Sequence, residues 1–169
     1  VNIIAIDPGM RNTGIVYMSE LSIVCSKTIS GPSVKNDNYK SIERAERITQ
    51  QILVFMADKP HETVVIEGYA GGFAGRQNAY SHQTPFLFGY IIRALQSASE
   101  PYVVQLSSEV LNPRSKRSVI SYEDAYPNKN RSKVNALDRS GWRGVETLRS
   151  DHTRAAALHG IYYYHGKER

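Results

Sequence analysis

Residues 3–6, Ile-Ile-Ala-Ile, form an unbroken apolar run that stops at Asp7-Pro8-Gly9. A short run bounded by turn residues reads as a buried strand. Residues 14–18 and 21–29 are two further apolar stretches, and in the second Leu21, Ile23 and Cys25 alternate with other residues as in a half-exposed strand. The short connections predict that these three strands form an antiparallel meander. Residues 31–38 are polar and turn-rich, a loop. Beyond them Ile42, Ala45, Ile48, Ile52 and Phe55 recur at three- and four-residue intervals, which predicts an amphipathic helix over 39–58. Residues 63–66 are rich in β-branched side chains and predict a buried strand ending at Glu67; a Gly-rich segment, 68–75, follows. A second helix is expected over 85–99 and a fifth strand over 102–106. Residues 113–144 are polar and basic, and their pattern assigns no element. Residues 150–164 carry alanines, Leu158 and Ile161 at helical spacing, with Asp151 near the start.

Strand, strand, strand, helix, strand, helix, strand, helix is the order of an α/β fold with a mixed five-stranded sheet flanked by helices. In such sheets a ligand site lies beyond the strand ends where strand order reverses. Asp7 and Glu67 both follow the last apolar residue of a strand, so both acids can meet at one edge of the sheet.

The 169 residues fit a single domain spanning 1–169, long enough to bury a core. No apolar run reaches eighteen residues, so no spanning helix and no membrane partner is expected. Residues 1–7 lack the zones of a secretory signal, and the single Cys25 suits a reducing cytoplasm, bacterial or that of a phage-infected host. One cysteine also excludes a disulfide scaffold and a zinc ribbon. The net charge of +5 favours an acidic partner, and its distribution adds to this. Arg114, Lys116, Arg117, Lys129, Arg131 and Lys133 crowd the stretch 113–133 against only Glu123 and Asp124, and Arg139, Arg143, Arg149 and Arg154 continue the trend.

Each acid has a plain structural role to set against a chemical one. Asp-Pro-Gly is good turn chemistry, which accounts for Asp7. Glu67 is harder to dismiss, because glutamate is a poor turn former and here precedes a Gly-rich segment. Asp151 suits a helix N-cap or first turn, where it complements the helix dipole. His152 reads as a polar helix residue, a proton relay or a metal ligand. Taken together, Asp7, Glu67 and Asp151 are hard oxygen ligands of the kind that bind Mg²⁺, with Mn²⁺ able to substitute, alongside water and substrate phosphate. A pair of such ions activates the attacking water and stabilises the leaving oxygen in phosphodiester cleavage.

The stretch Ile4-Ala5-Ile6-Asp7-Pro8-Gly9 with Thr13-Gly14, then Val65-Ile66-Glu67, then a late acidic helix resembles the RuvC Holliday-junction resolvases over almost the whole chain. The resemblance implies a ribonuclease H-like fold, a homodimer, Mg²⁺ dependence and paired nicking of four-way junctions, with forks as related substrates; the divergent middle looks like a phage-encoded variant. It makes Asp7 and Glu67 the first two catalytic acids, with Asp151 and His152 the candidates for the later motif. It also puts an aromatic shortly after the glutamate, where it helps to open the junction centre: Phe73, with Arg76 near a basic position, and Tyr69 as the competing choice. Phe73 between glycines is suited to stacking on a base or wedging a junction.

The C-terminal motif departs from the family, which shows an acid or histidine, two residues, then Asp-Ala. In Ser150-Asp151-His152-Thr153-Arg154-Ala155, counting from Asp151 puts Arg154 at the second acid, and counting from His152 puts Ala155 there. One carboxylate is missing either way, which weakens at least one metal site. Lys116, Arg117, Arg131 and Lys133, with Arg154, are the expected phosphate contacts, against the plain alternative of a solvated basic loop. The run Tyr162-Tyr163-Tyr164 reads as core and interface packing. Two other functions compete with a nuclease. One is a junction-binding module with weak or lost cleavage. The other is an actin-like or sugar-kinase-like ATP-binding domain, which Asp-Pro-Gly followed by Thr-Gly also resembles but which needs a second phosphate loop that the chain lacks.

Overall fold

The computed structural model describes residues 1–31, 38–68, 83–114, 118–121, 124 and 131–167. Five strands, β1 (Asn2–Asp7), β2 (Asn12–Ser19), β3 (Ser22–Ser30), β4 (Thr63–Gly68) and β5 (Tyr102–Leu106), form one sheet in the order β3-β2-β1-β4-β5. The β1–β2 and β2–β3 pairs are antiparallel, and the β1–β4 and β4–β5 pairs are parallel. This is the mixed sheet that the pattern predicts. Among the described residues the α-helices are α1 (Asn38–Met56), α2 (Gln83–Ser97), a single turn α3 (Ser107–Val110), α4 (Ser132–Arg139) and α5 (Asp151–Lys167). Among the described residues no helix is long and apolar enough to cross a membrane.

Side chains alternate across a strand, and β1 shows why its sequence does not alternate in polarity. Ile4 and Ile6 face one core with Val64, Ile66 and residues of α1 and α2 such as Ile48, Ile52, Leu87 and Ile91. Ile3 and Ala5 face the other, with Val65, Trp142 and Ala156, Ala157, Leu158 and Ile161 of α5. Both faces are covered, so both parities must be apolar. The same parity carries Asp7 and Glu67 onto the α5 side, because each continues the row of Ala5 and Val65.

Two elements lie inside the region that the pattern leaves unassigned or run past a predicted strand. Helix α4 falls within 113–144; it is two turns long and its buried face is only Ala136 and Leu137, too little to stand out. Helix α3 continues directly from β5, where Ser107 and Ser108 interrupt no apolar pattern. Leu21, expected in β3, instead shares with Glu20 the two-residue turn between β2 and β3, both at positive φ. That is the backbone twist a tight hairpin requires.

Asp124 pins the basic region. It is buried and accepts hydrogen bonds from the Ser121 backbone N–H (2.7 Å), the Ser121 hydroxyl (2.9 Å), and Nε (3.2 Å) and Nη2 of Arg139. Burial pushes its carboxyl up, but the Arg139 and Ser121 bonds outweigh this and hold it below the usual aspartate range. Asp124→Asn should therefore destabilise the fold by about 1–3 kcal/mol in denaturant unfolding. The loss should shrink as pH falls through the depressed Asp124 value, because protonation removes the same charge from wild type.

Candidate active site

Register brings the two acids together. Ile6 pairs with Ile66, so Asp7 and Glu67, one residue further on each strand, leave adjacent parallel strands side by side and on one face. Their carboxyl groups lie in hydrogen-bond and Coulomb contact. They line a cavity of about 60 Å³ with Pro8, Gly68, Thr84 and Phe88, room for a cation or a few waters. A larger cavity of about 540 Å³ lies against α4 and α5, lined by Arg139, Tyr162 and His165 among others, and includes neither acid.

The turn after β1 is held by Thr13, fully buried, whose hydroxyl donates to the Gly9 carbonyl (2.9 Å) and accepts from the Gly9 N–H (3.2 Å). Gly14 then explains the Thr-Gly pair. A Cβ there would overlap the His152 carbonyl and the Thr153 nitrogen, so its absence lets the first turn of α5 sit on β2. That turn is closed by Ser150, whose hydroxyl accepts from the Thr153 N–H (3.1 Å) while the Thr153 hydroxyl accepts from the Ser150 N–H (3.2 Å), a reciprocal cap. Thr28 on β3 ties the cap down through a 2.7 Å bond to the Ser150 hydroxyl.

So placed, α5 sends His152 into the site: its Nδ1 lies 2.8 Å from Asp7 Oδ2, with 38% of the side chain exposed. Asp151 does not join it, which corrects the expected three-carboxylate cluster. It starts the helix, is 67% exposed and bonds Lys133 Nζ at 2.6 Å. One residue along a helix is a rotation of about 100°, so Asp151 and His152 cannot both face the sheet. Among the described residues no three His, Cys, Asp or Glu side chains converge as a ligand set. The choice between Arg154 and Ala155 resolves in the same way. With His152 on Asp7, the residue one turn on is Ala155, buried against the sheet side, whereas Arg154 is half-buried.

Two residues absent from the sequence reading complete the cluster. His159, fully buried on α5, has Nε2 3.4 Å from Glu67 Oε2, and its Nδ1 is hydrogen-bonded to the Gln105 side-chain amide at 3.1 Å. Seven residues separate His152 from His159, which is two helical turns, and that spacing was the signal available. Of the expected DNA contacts, Arg131 is exposed at the start of α4, Lys133 is held beside the site by Asp151, and Arg154 is in the first turn of α5. Tyr69, Phe73, Arg76, Lys116 and Arg117 lie outside the described residues.

The charges settle unequally. Burial raises the Asp7 carboxyl, overriding the hydrogen bond from His152, and the facing Glu67 charge adds to the rise. Burial also pushes Glu67 up, but the nearby His159 ring, Ser107 hydroxyl and Asp7 carboxyl outweigh it and leave Glu67 low. His152 is raised by its bond to Asp7, against burial. Two acids forced together out of water call for a proton or a cation between them.

A five-stranded mixed sheet with this order and helices on both faces is the ribonuclease H-like fold. The chain matches no family model, and by sequence it matches no curated protein. Among solved structures it is similar to Thermus thermophilus RuvC in complex with a Holliday junction substrate, with a TM-score of 0.67 and 18% identity over 98% of this chain and 96% of that one. A second Thermus thermophilus RuvC structure aligns with a TM-score of 0.62 and 17% identity over 99% and 97%. The yeast mitochondrial Holliday junction resolvase Ydc2 aligns at 0.53 and 14% over 95% and 76%. At these identities the likeness establishes the fold: it is the fold of the RuvC Holliday junction resolvases.

Asp7→Asn should move the His152 titration down toward the ordinary imidazole range, read from its ring-proton NMR shifts. A raised histidine stabilises fully below its unfolded value, so the pair's contribution should disappear as pH rises through the raised value. Gly14→Ala should give the same downward shift by displacing α5, together with a stability loss of about 1–3 kcal/mol.

Proposed function

We propose that this protein is a divalent-cation-dependent endonuclease that nicks branched DNA, four-way junctions above all, acting as a homodimer in the cytoplasm. The observation that carries the proposal is the Asp7–Glu67 pair on adjacent strand ends of a RuvC-type fold. Two neighbouring, partly buried carboxylates, with a small cavity between β4 and α2 beside them, fit one Mg²⁺ or Mn²⁺ ion that keeps water and phosphate as its other ligands. Asp7 and Glu67 would hold it. A bound ion of this kind supplies a Lewis acid for the phosphate and lowers the pKa of an attacking water.

The chain's own groups account for the remaining steps. His152, bound to Asp7 through Nδ1 and partly exposed, fixes that carboxylate and has Nε2 available to exchange a proton. Water attacks phosphorus, one P–O bond breaks, and the departing oxygen takes a proton. Lys133 on α4 and Arg131 just before it, with Arg154, supply positive charge for the DNA backbone, and a twofold junction requires two such sites, one from each protomer. In the RuvC complex the partner is a Holliday junction substrate, which supports the choice of DNA.

Ala155 favours a second reading, a junction binder with weak cleavage, because a methyl group stands where a further carboxylate would strengthen a second ion site. One assay separates the two: labelled four-way, forked and duplex DNA with and without Mg²⁺, scoring cleavage and binding separately. Nicking of the junction in Mg²⁺ that is lost in Asp7→Asn and Glu67→Gln, with binding retained, is the expected result. Cleavage unchanged by both substitutions would overturn the assignment. Ala155→Asp should raise the rate by about tenfold or more, roughly 1.4 kcal/mol of barrier, while Arg154→Asp should not.

Lys133→Glu should weaken binding to every DNA shape and reduce the slope of log affinity against log salt by about one or more. A wild-type slope would remove Lys133 from the phosphate contacts.

A further inference from the structure

The parallel register sets Gln105 directly beside Glu67, so the two side chains leave the same face of the sheet. Gln105 is 7% exposed and His159 has no exposed surface at all. A polar ring at that depth costs free energy unless its nitrogens are engaged. Nδ1 is engaged, hydrogen-bonded to the Gln105 side-chain amide at 3.1 Å. Nε2 stands 3.4 Å from Glu67 Oε2, and among the described residues it has no closer polar partner. The residues before His159 are Ala156, Ala157 and Leu158, all buried and apolar, so an apolar side chain would suit the packing of this segment equally well. The next residue is Gly160, where a Cβ would run into the sulfur of the Met18 side chain. One helix face therefore presents two imidazoles two turns apart, His152 to Asp7 and His159 to Glu67.

We propose that Gln105 and His159 form a buried brace that fixes the orientation of the Glu67 carboxylate, which makes His159 a positioning residue for the cation site. The proposal rests on the reading of Asp7 and Glu67 as the groups that hold the ion. A glutamate left free to rotate loses side-chain entropy when it binds. A site with two carboxylates has few other contacts to offset that loss. Groups that hold a metal ligand from behind are worth about 10–100-fold in affinity.

Mn²⁺ alone is the probe, followed by the loss of the free-ion EPR signal, so that DNA cleavage is not needed. Three variants of the full chain are compared with wild type: His159→Leu, which fills the space without bonding; His159→Gln, which keeps a donor; and Gln105→Leu. The brace requires that His159→Leu bind Mn²⁺ about 10–100-fold more weakly, that His159→Gln recover most of the loss, and that Gln105→Leu weaken binding in the same direction. Thermal midpoints, taken without metal, show whether each variant is folded. A folded His159→Leu with wild-type Mn²⁺ affinity overturns the brace, as does equal weakening in His159→Gln, which would mark a packing role. If His159→Leu does not fold, Gln105→Leu decides, and unchanged affinity there overturns the proposal. Wild type that binds no Mn²⁺ removes the cation reading and the brace together, whereas wild-type binding with unchanged variants removes the brace alone.

Discussion

Two carboxylates held side by side with little access to water repel each other, and each has lost hydration worth several kcal/mol. The position of Asp7 and Glu67 imposes that arrangement, and most of the surrounding structure is an answer to it. Parallel pairing of β1 with β4 fixes the strand ends at the spacing of neighbouring strands, and the period of two turns both side chains to the α5 face. His152 meets one acid and His159 meets the other. The strain is divided, with Asp7 raised and Glu67 held low. A proton or a cation entering such a pair relieves repulsion that folding has already imposed.

Helix α5 is the element on which the site turns. It is buried almost all round, because the sheet covers one side and α4, Trp142 and Leu148 cover another. Its approach depends on a missing side chain at Gly14, under its first turn, where a Cβ would meet backbone atoms of the helix. The cap at Ser150 and the bond from Thr28 set where the helix starts, and the start sets which residue faces Asp7. Asp151 is turned away for that reason and serves the surface instead, as a first-turn acid paired with Lys133. That pairing holds a lysine from the basic region within electrostatic reach of His152.

Much of the fold was legible in the order of residues. The apolar runs and their short connections mark all five strands, and the three- and four-residue spacing marks α1 and α2. What escaped were α4, whose buried face is two residues, and α3, a single turn. At the site, Asp7 and Glu67 stood out as charged residues ending apolar strands, a placement that local structure alone does not favour. Gln105 and His159 did not stand out, because a glutamine in an edge strand and a histidine in an alanine-rich helix are ordinary until a partner is known.

The sequence by itself determined the five strands and the three long helices, the parity that puts both acids on one side, and the excess of positive charge. Each of these depends on neighbours in the chain, which periodicity and composition record. Only the tertiary structure decided that His152 rather than Asp151 meets Asp7, that Ala155 rather than Arg154 is buried one turn further on, and that a histidine lies behind Glu67. Those outcomes depend on the rotation and depth of one helix against a sheet formed from distant segments. That rotation and depth are set by contacts between side chains far apart in the chain.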